Sequence, residues 1–244
     1  MRASRSAAIP VVIKHMRLAG VVILAGGNSK RMGTPKAKLR LPGGETLLNY
    51  HVRHAMRLNV PIIIADNEHG FKVDEALAAR SEAPIFHIKD YGQNDKKADN
   101  SKTDDKYKNT GGALAAIESA LQTCISFVKD TSSKNSLTDY LLVISCDSLI
   151  KATELWQHLS AATNRSLHAR AVVCLSDDSH LYPLLGLYQL AIEPELRAYL
   201  DSGQRRVMRF IEPICQKVAF DPQWQYLTNF NTPEDFVKAC QALS

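Results

Sequence analysis

Gly26-Gly27 stand at the end of a short apolar run, Val21-Val22-Ile23-Leu24, and three cations, Lys30, Arg31 and Lys36, follow within about ten residues. The run bounded by glycine suits a buried strand of a parallel sheet. The glycines permit a tight turn with bare backbone N–H groups. Bare N–H groups beside cations suit a polyanion such as a nucleotide phosphate chain. Two familiar phosphate loops are excluded. A Walker A loop would need Gly-Lys-Ser/Thr where Met32-Gly33-Thr34 stand, and Gly26-Gly27-Asn28 breaks the dinucleotide fingerprint. Spacing alone leaves phosphate binding and an ordinary turn with solvated cations both open.

Further chemistry-bearing residues sit where strands end. Asp147 follows the run Asp139 to Ser145 (DYLLVIS), and strand carboxyl ends are where open α/β sheets place ligands. One carboxylate there is enough to hold Mg²⁺, which keeps waters and phosphate oxygens as its other ligands. A turn or cap aspartate is the structural alternative. Asp90 ends the strand-like IFHIK, and a surface turn is its simplest reading. Arg205-Arg206 follow Gly203-Gln204. Adjacent arginines grip phosphate or open a surface helix, and at most one of a neighbouring pair faces a given site. Thr232 is a good N-cap, Pro233 suits the first helical position, and Asp235 is an acidic third residue. That accounts for Thr232 to Asp235 and leaves Asn229 and Asn231 unexplained. At strand period the two asparagines share a face, as do His180 and Tyr182.

The elements that must position these residues alternate. Helical spacing runs over Glu45 to Leu58, Phe71 to Ala79, Gly112 to Val128 and Thr153 to Ala162. Strand-like runs fill Val60 to Ala65, Pro84 to Ile88, Asp139 to Ser145, Ala169 to Leu175 and Leu184 to Leu190. This alternation predicts an α/β fold with a single mostly parallel sheet and helices on both faces. No linker splits residues 17–244. Gly92 to Asn109 has one aromatic and no aliphatic larger than alanine, so it is expected to be a mobile insertion.

Composition narrows the function classes. The chain has 244 residues and a formal charge of +5, but Arg2, Arg5, Lys14 and Arg17 stand near the start with no acid among them. Residues 1–16 read as a disordered basic extension, so the basic balance does not argue for nucleic acid. No apolar run approaches the ~18 residues of a membrane span. The five cysteines, with no Cys-x-x-Cys pair, fit a reduced cytoplasmic protein without structural zinc.

Several of these stretches match one family in order. LAGG-NSK-RMG with Pro35-Lys36, Ser145-Cys146-Asp147-Ser148, Tyr182 to Tyr188 (YPLLGLY), Gly203 to Val207 (GQRRV) and Asn229 to Asp235 (NFNTPED) resemble the motifs of the molybdopterin-type nucleotidyltransferases. Among these the chain looks most like the molybdenum cofactor guanylyltransferases. It departs from their pattern at Ala113, Ala116 and Tyr182, where proline, glycine and histidine are usual.

The resemblance implies a Rossmann-like nucleotide-diphospho-sugar transferase fold. It implies Mg²⁺-dependent transfer of GMP from GTP to molybdopterin or the molybdenum cofactor. It assigns Leu24, Ala25, Gly26, Gly27, Lys36, Asp90 and Asp147 to the nucleotide, with Lys30 also on the triphosphate. Arg31, Lys36 and Asp147 would be catalytic, Asp147 the metal ligand, and Arg205, Asn229 and Asn231 the pterin side. Molybdenum-insertion proteins and apo-molybdoenzymes are the implied protein partners. Pro35-Lys36 is also similar to the cytidylyltransferase and sugar-nucleotide branches, which are the rival reading. A non-catalytic nucleotide or cofactor carrier is the third.

Overall fold

The computed structural model describes residues 16–27, 30–92, 111–130, 138–164 and 170–243. The side chains of Lys30, Lys129, Asp130 and Asn164 fall outside the description, as do the expected extension up to residue 15 and residues 93–109 of the expected insertion. Strand β1 (Met16–Leu24) leads through α1 (Leu47–Met56) to β2 (Ile62–Ala65). Helix α2 (Glu75–Ala78) then precedes β3 (Ile85–Ile88), and α3 (Gly112–Asp130) precedes β4 (Thr138–Ser145). Helix α4 (Ala152–Asn164) leads to β5 (Val172–Ser176) and β6 (Leu181–Gln189). Helices α5 (Glu193–Asp201) and α6 (Val207–Ile211), strand β7 (Cys215–Ala219) and α7 (Pro233–Ala242) follow.

The strands form one sheet in the order β3-β2-β1-β4-β6-β5-β7. Strand β1 pairs in parallel with β2 and with β4, and β2 with β3. Strand β6 runs antiparallel to both β4 and β5, and β7 returns parallel to β5. The expected α/β class with a mostly parallel sheet is therefore the observed one. The chain first winds outward from β1 to β2 and β3, then crosses back to place β4 on the other side of β1. The sheet thus changes direction between β1 and β4, and a crevice opens at such a point beyond the carboxyl ends of the strands.

The uninterrupted apolar runs follow from covering both faces. Val21, Ile23, Ile62, Ile64, Leu142 and Ile144 pack in one core with Leu47 and Val52 of α1, Leu155 of α4 and Phe236 of α7. The residues between them, Val22, Ile63, Leu141 and Val143, pack in a second core with Ile117 and Leu121 of α3 and Leu196 of α5. A strand buried on both sides needs apolar residues at every position, so alternation disappears from its sequence. No helix among the described residues is long and apolar enough to cross a membrane.

Boundaries and late elements differ from the sequence reading. Strand β1 begins at Met16, inside the stretch assigned to the extension. Its early residues are half-buried, and Arg17 makes a bidentate ion pair with Asp139 of β4 at 2.6 and 2.8 Å. Helix α2 is only Glu75–Ala78, and it starts after Phe71 because Asp74 is its N-cap, accepting from Leu77 N at 3.0 Å. Strand β7 has only Val218 buried, since it is an edge strand, and α5 carries polar residues over most of its surface. Neither pattern announces itself in the sequence.

Helices α3 and α5 are joined by an ionic cluster. Glu118 is fully buried, and its Oε1 accepts from Arg197 Nε at 3.2 Å and from Gln122, while Arg197 also pairs with Glu193. Burial pushes the Glu118 carboxyl up to about 7 from an ordinary value of 4.5. The folded state therefore holds this proton more tightly than the unfolded chain. Its contribution to stability is full below pH 4.5 and is lost as pH rises through about 7. In urea unfolding at pH 5, 6 and 7.5, Glu118→Gln is expected to flatten the decline that the wild type shows toward pH 7.5. An unchanged slope in the variant rules out this assignment.

Candidate active site

The crevice between β1 and β4 is a cleft of about 420 Å³. Its size lies within the range of small-molecule sites, ~300–1,000 Å³. Its floor is the end of β1, Leu24 and Ala25, beside the end of β4, Ser145 and Cys146. The two strands finish together because Leu24 pairs with Ser145, and Cys146 N donates to Leu24 O at 3.2 Å.

The two glycines of the turn have different reasons. A Cβ on Gly26 would lie 2.7 Å from Asn67 Cβ, 3.1 Å from Asn67 N and 3.2 Å from the Asp66 carbonyl carbon. Gly26 is therefore required by the loop after β2, which closes against it. A Cβ on Gly27 would meet nothing within 4 Å, and Gly27 lines the cleft. No packing contact demands glycine at position 27, whereas Gly26 is a packing requirement. Arg31 and Met32 line the same rim, Arg31 exposed and Met32 buried.

Lys36 reaches into the cleft from a single 3-10 turn, Lys36–Lys38. Its Nζ lies 3.1 Å from Asn231 Oδ1 and 3.4 Å from Asp147 Oδ2, and 5.7 Å above the Phe230 ring. The Lys36 side chain is 15% exposed and that of Asp147 30%. The pair is loose in distance and open enough to be reached by a ligand.

Asn231 is aimed by the start of α7. Thr232 Oγ1 accepts from Asp235 N at 3.2 Å, and the Asp235 carboxylate accepts from Thr232 N at 3.2 Å and from Asn231 N at 3.3 Å. The capping box expected from the sequence is present, and its acid also anchors the asparagine that meets Lys36. Asn231 Nδ2 donates to Asn229 Oδ1 at 2.9 Å. The two asparagines meet through a turn and not through strand alternation, because Asn229 has a φ of 56°.

Asp90 lines the opposite end, with Gly112, Ala113 and Ala116 of α3. The N-terminus of α3 therefore opens on the cleft, with the small residues admitting a ligand close to the helix. Asp90 is 7% exposed, and burial, with the nearby charge of Asp66, pushes its carboxyl up to about 6. Asp66 is itself buried, accepts from Phe71 N at 3.0 Å and faces His87 Nδ1 at 3.4 Å. Strands β3 and β4 stand three positions apart in the sheet, ~14 Å at strand spacing. Asp90 and Asp147 thus suit the two ends of one extended ligand better than a shared ion.

The cleft gathers Leu24, Ala25, Gly26, Gly27, Arg31, Lys36, Asp90, Asp147 and Asn231, with Asn229 behind Asn231. It does not gather Arg205. That guanidinium donates to the carbonyls of Leu200 at 2.6 Å and Gln204 at 2.7 Å, closing the end of α5, and is no part of the cleft lining. His180 and Tyr182 also lie outside the lining. His180 precedes β6, so strand alternation does not apply to it, and both residues turn to Asp177, with Tyr182 Oη donating at 2.6 Å. Asn67 was missed. It lines the cleft with a φ of 51°, and the signal was its place two residues after β2.

A glycine turn, a carboxylate and a lysine at the switch point of this sheet define a nucleotidyltransferase of Rossmann-like type. The MobA-like NTP transferase domain family matches residues 21–218, and the chain belongs to that family, which makes it an enzyme of the NTP-transferase type. It is similar to the molybdenum cofactor guanylyltransferase of Histophilus somni strain 2336, at 26% identity over 89% of this chain and 93% of that protein. The molybdenum cofactor guanylyltransferase of Yersinia pestis strain Pestoides F is 26% identical over 88% of this chain and 91% of its own length. Among solved structures, molybdopterin-guanine dinucleotide biosynthesis protein A from Archaeoglobus fulgidus superposes with a TM-score of 0.59 at 19% identity, over 92% of this chain and 98% of that one. The 4-diphosphocytidyl-2C-methyl-D-erythritol synthase of Anaerococcus prevotii gives a TM-score of 0.55 at 12% identity, over 94% and 98%. These two likenesses speak to the fold alone.

Gly26→Ala is expected to destabilise the chain by about 1–3 kcal/mol, because the new methyl is blocked by Asn67 Cβ and by backbone atoms of Asp66 and Asn67, none of which can swing away as the end of a flexible side chain could. Gly27→Ala is expected to melt within a degree or two of wild type yet bind nucleoside triphosphate weakly. Thermal melts and nucleotide titrations of both variants check the distinction, and equal melting losses would remove it.

Proposed function

We propose that this protein joins GMP from GTP to the terminal phosphate of molybdopterin or the molybdenum cofactor and releases diphosphate. The observation that carries the reading is the meeting of Lys36, Asp147 and Asn231 beside the glycine turn, in a chain of this family. A phosphate oxygen of the acceptor attacks the α-phosphorus of GTP, and the bond from that phosphorus to the diphosphate oxygen breaks. Both reactants are anions, so positioning and charge neutralisation carry the rate. Gly26 and Gly27 offer backbone N–H groups to the triphosphate. Arg31 and Lys36 neutralise charge that develops on the α-phosphate and on the leaving diphosphate. Lys36 is held by Asn231 at 3.1 Å, so it is oriented before the nucleotide arrives.

The donor set fits Mg²⁺. Asp147 presents an accessible carboxylate at the cleft, and no group of three or more His, Cys, Asp or Glu ligands exists among the described residues. A cation that keeps its waters and takes phosphate oxygens needs one or two carboxylates and no protein cage. Bound there, Mg²⁺ would supply charge neutralisation at the phosphates. Asn229 and Asn231 would serve the pterin side. Asp90, at the far end, would accept from guanine N1–H and N2–H₂, an edge that cytosine lacks.

Pro35-Lys36 favours a second reading, cytidylyl transfer to the same acceptor class. Diphosphate release with GTP, CTP and ATP, each with and without molybdopterin, separates the two. Turnover with GTP and the pterin alone is the expected result, and turnover with CTP moves the enzyme to the other branch. Asp147→Ala is expected to keep its melting temperature and lose about 10²-fold or more in metal-dependent turnover. Asp90→Asn is expected to raise KM for GTP about 10-fold with a smaller change in kcat. With Asp90 protonating near pH 6, GTP affinity in the wild type should weaken below that pH and stay flat in the variant. A pH-independent wild-type affinity between pH 5 and 8 excludes that role.

A further inference from the structure

Helix α1 packs behind the Asp147 turn, and none of its residues lines the cleft. The turn is clamped from several sides. Tyr50 Oη donates to Leu149 O at 2.7 Å, Leu149 N donates to Leu227 O at 2.6 Å, and Ser148 bridges to Thr228. Ile150 N donates to Ser148 Oγ at 3.1 Å. The next residue of the helix, His51, is completely buried, yet neither of its ring nitrogens makes a well-formed hydrogen bond. A buried polar group left in this state is costly and calls for a reason. The groups that act on the ring are the Ser148 carbonyl, through a hydrogen bond of poor geometry, and the charges of Asp147 and Glu45. Burial outweighs them and pushes the imidazole down to about 4, so it is neutral and has a single N–H to give.

We infer that His51 is a positioning residue for Asp147, its ring N–H directed at the Ser148 carbonyl behind the Asp147 turn. The inference rests on the reading of Asp147 as the metal carboxylate. The turn is already pinned one residue later, at Leu149, by Tyr50. A donor at Ser148 would remove the remaining freedom of the peptide next to Asp147. Outer groups of this kind orient a ligating side chain without touching the ion. His54, one turn along, is a natural contrast. It is 4% exposed with Nδ1 unpartnered, and the charges that act on it are Arg53, Arg57, Lys151 and His51, with no group of the Asp147 turn.

Calorimetric titration of the full chain with GTP, once in Mg²⁺ and once in EDTA, reads the part of the affinity that needs the metal. In His51→Leu the Mg²⁺-to-EDTA affinity ratio is expected to fall about 10-fold, with the EDTA affinity unchanged and the melting temperature equal or higher, since a poorly paired polar group has left the core. His51→Gln, which restores an N–H at similar reach, should recover most of the ratio, and His54→Leu should leave it intact. Should His51→Leu not fold, His51→Met carries the same readout. Asp147→Asn is the reference and should abolish the ratio. If Asp147→Asn abolishes it and His51→Leu does not change it, the positioning role is wrong while the metal reading stands. If Asp147→Asn retains the ratio, the metal reading falls and takes this inference with it.

Discussion

The parallel pairing of β1 with β4 is the constraint on which the site depends. Both strands are buried on both faces, so their register is held by two cores at once. A slip by one residue would exchange the residues facing each core and misalign every contact above the sheet. In the observed register Leu24 lies beside Ser145, so the glycine turn and the Asp147 turn emerge side by side. The same pairing is fastened at its far end by Arg17 and Asp139, 122 residues apart in sequence. The loop after β2 closes the third side, with Ala25 N donating to Ala65 O at 2.9 Å and Asn67 lying against Gly26.

Charge in the cleft is arranged around one lysine. Lys36 sits between a carboxylate, an amide oxygen and an aromatic face, all of which stabilise an ammonium. These partners come from two distant parts of the chain. Asp147 follows β4, and Asn231 and Phe230 precede α7. The last helix is thus part of the site, and its capping box links helix stability to the orientation of Asn231. At the other end, the Asp90 carboxyl is pushed upward by burial and by Asp66, while Asp147 is open to solvent on the opposite side. Two carboxyls in unlike settings can serve unlike partners.

Much of this was legible in the residues themselves. The runs VVIL and DYLLVIS, flanked by glycine and by Asp147, identify two central buried strands and their carboxyl ends, because apolar runs of that length have few other uses. The cap at Thr232 was readable for the same reason, since capping is local chemistry over four residues. The elements that escaped are those whose burial is partial. Strand β7 shows one buried residue, and α5 shows a mostly polar surface around Leu196 and Leu200, so neither has a periodic signal. Arg205 and His180 show that short-range spacing says nothing about where a flexible side chain finds its acceptor. Arg205 found the carbonyls at the end of α5, and His180 found Asp177.

By itself, the sequence determined the α/β alternation, the glycine turn and which acids and asparagines end their elements. These depend on backbone sterics, periodicity and hydrogen bonding within a few residues. Only the tertiary structure decided that Lys36 meets Asp147 and Asn231, that Gly26 is needed by Asn67, and that His51 lies behind the Asp147 turn. Those contacts join segments 111 and 195 residues apart for Lys36 alone. They follow from strand order, which is settled by how the two faces of the sheet are buried and by no local preference of the residues that meet.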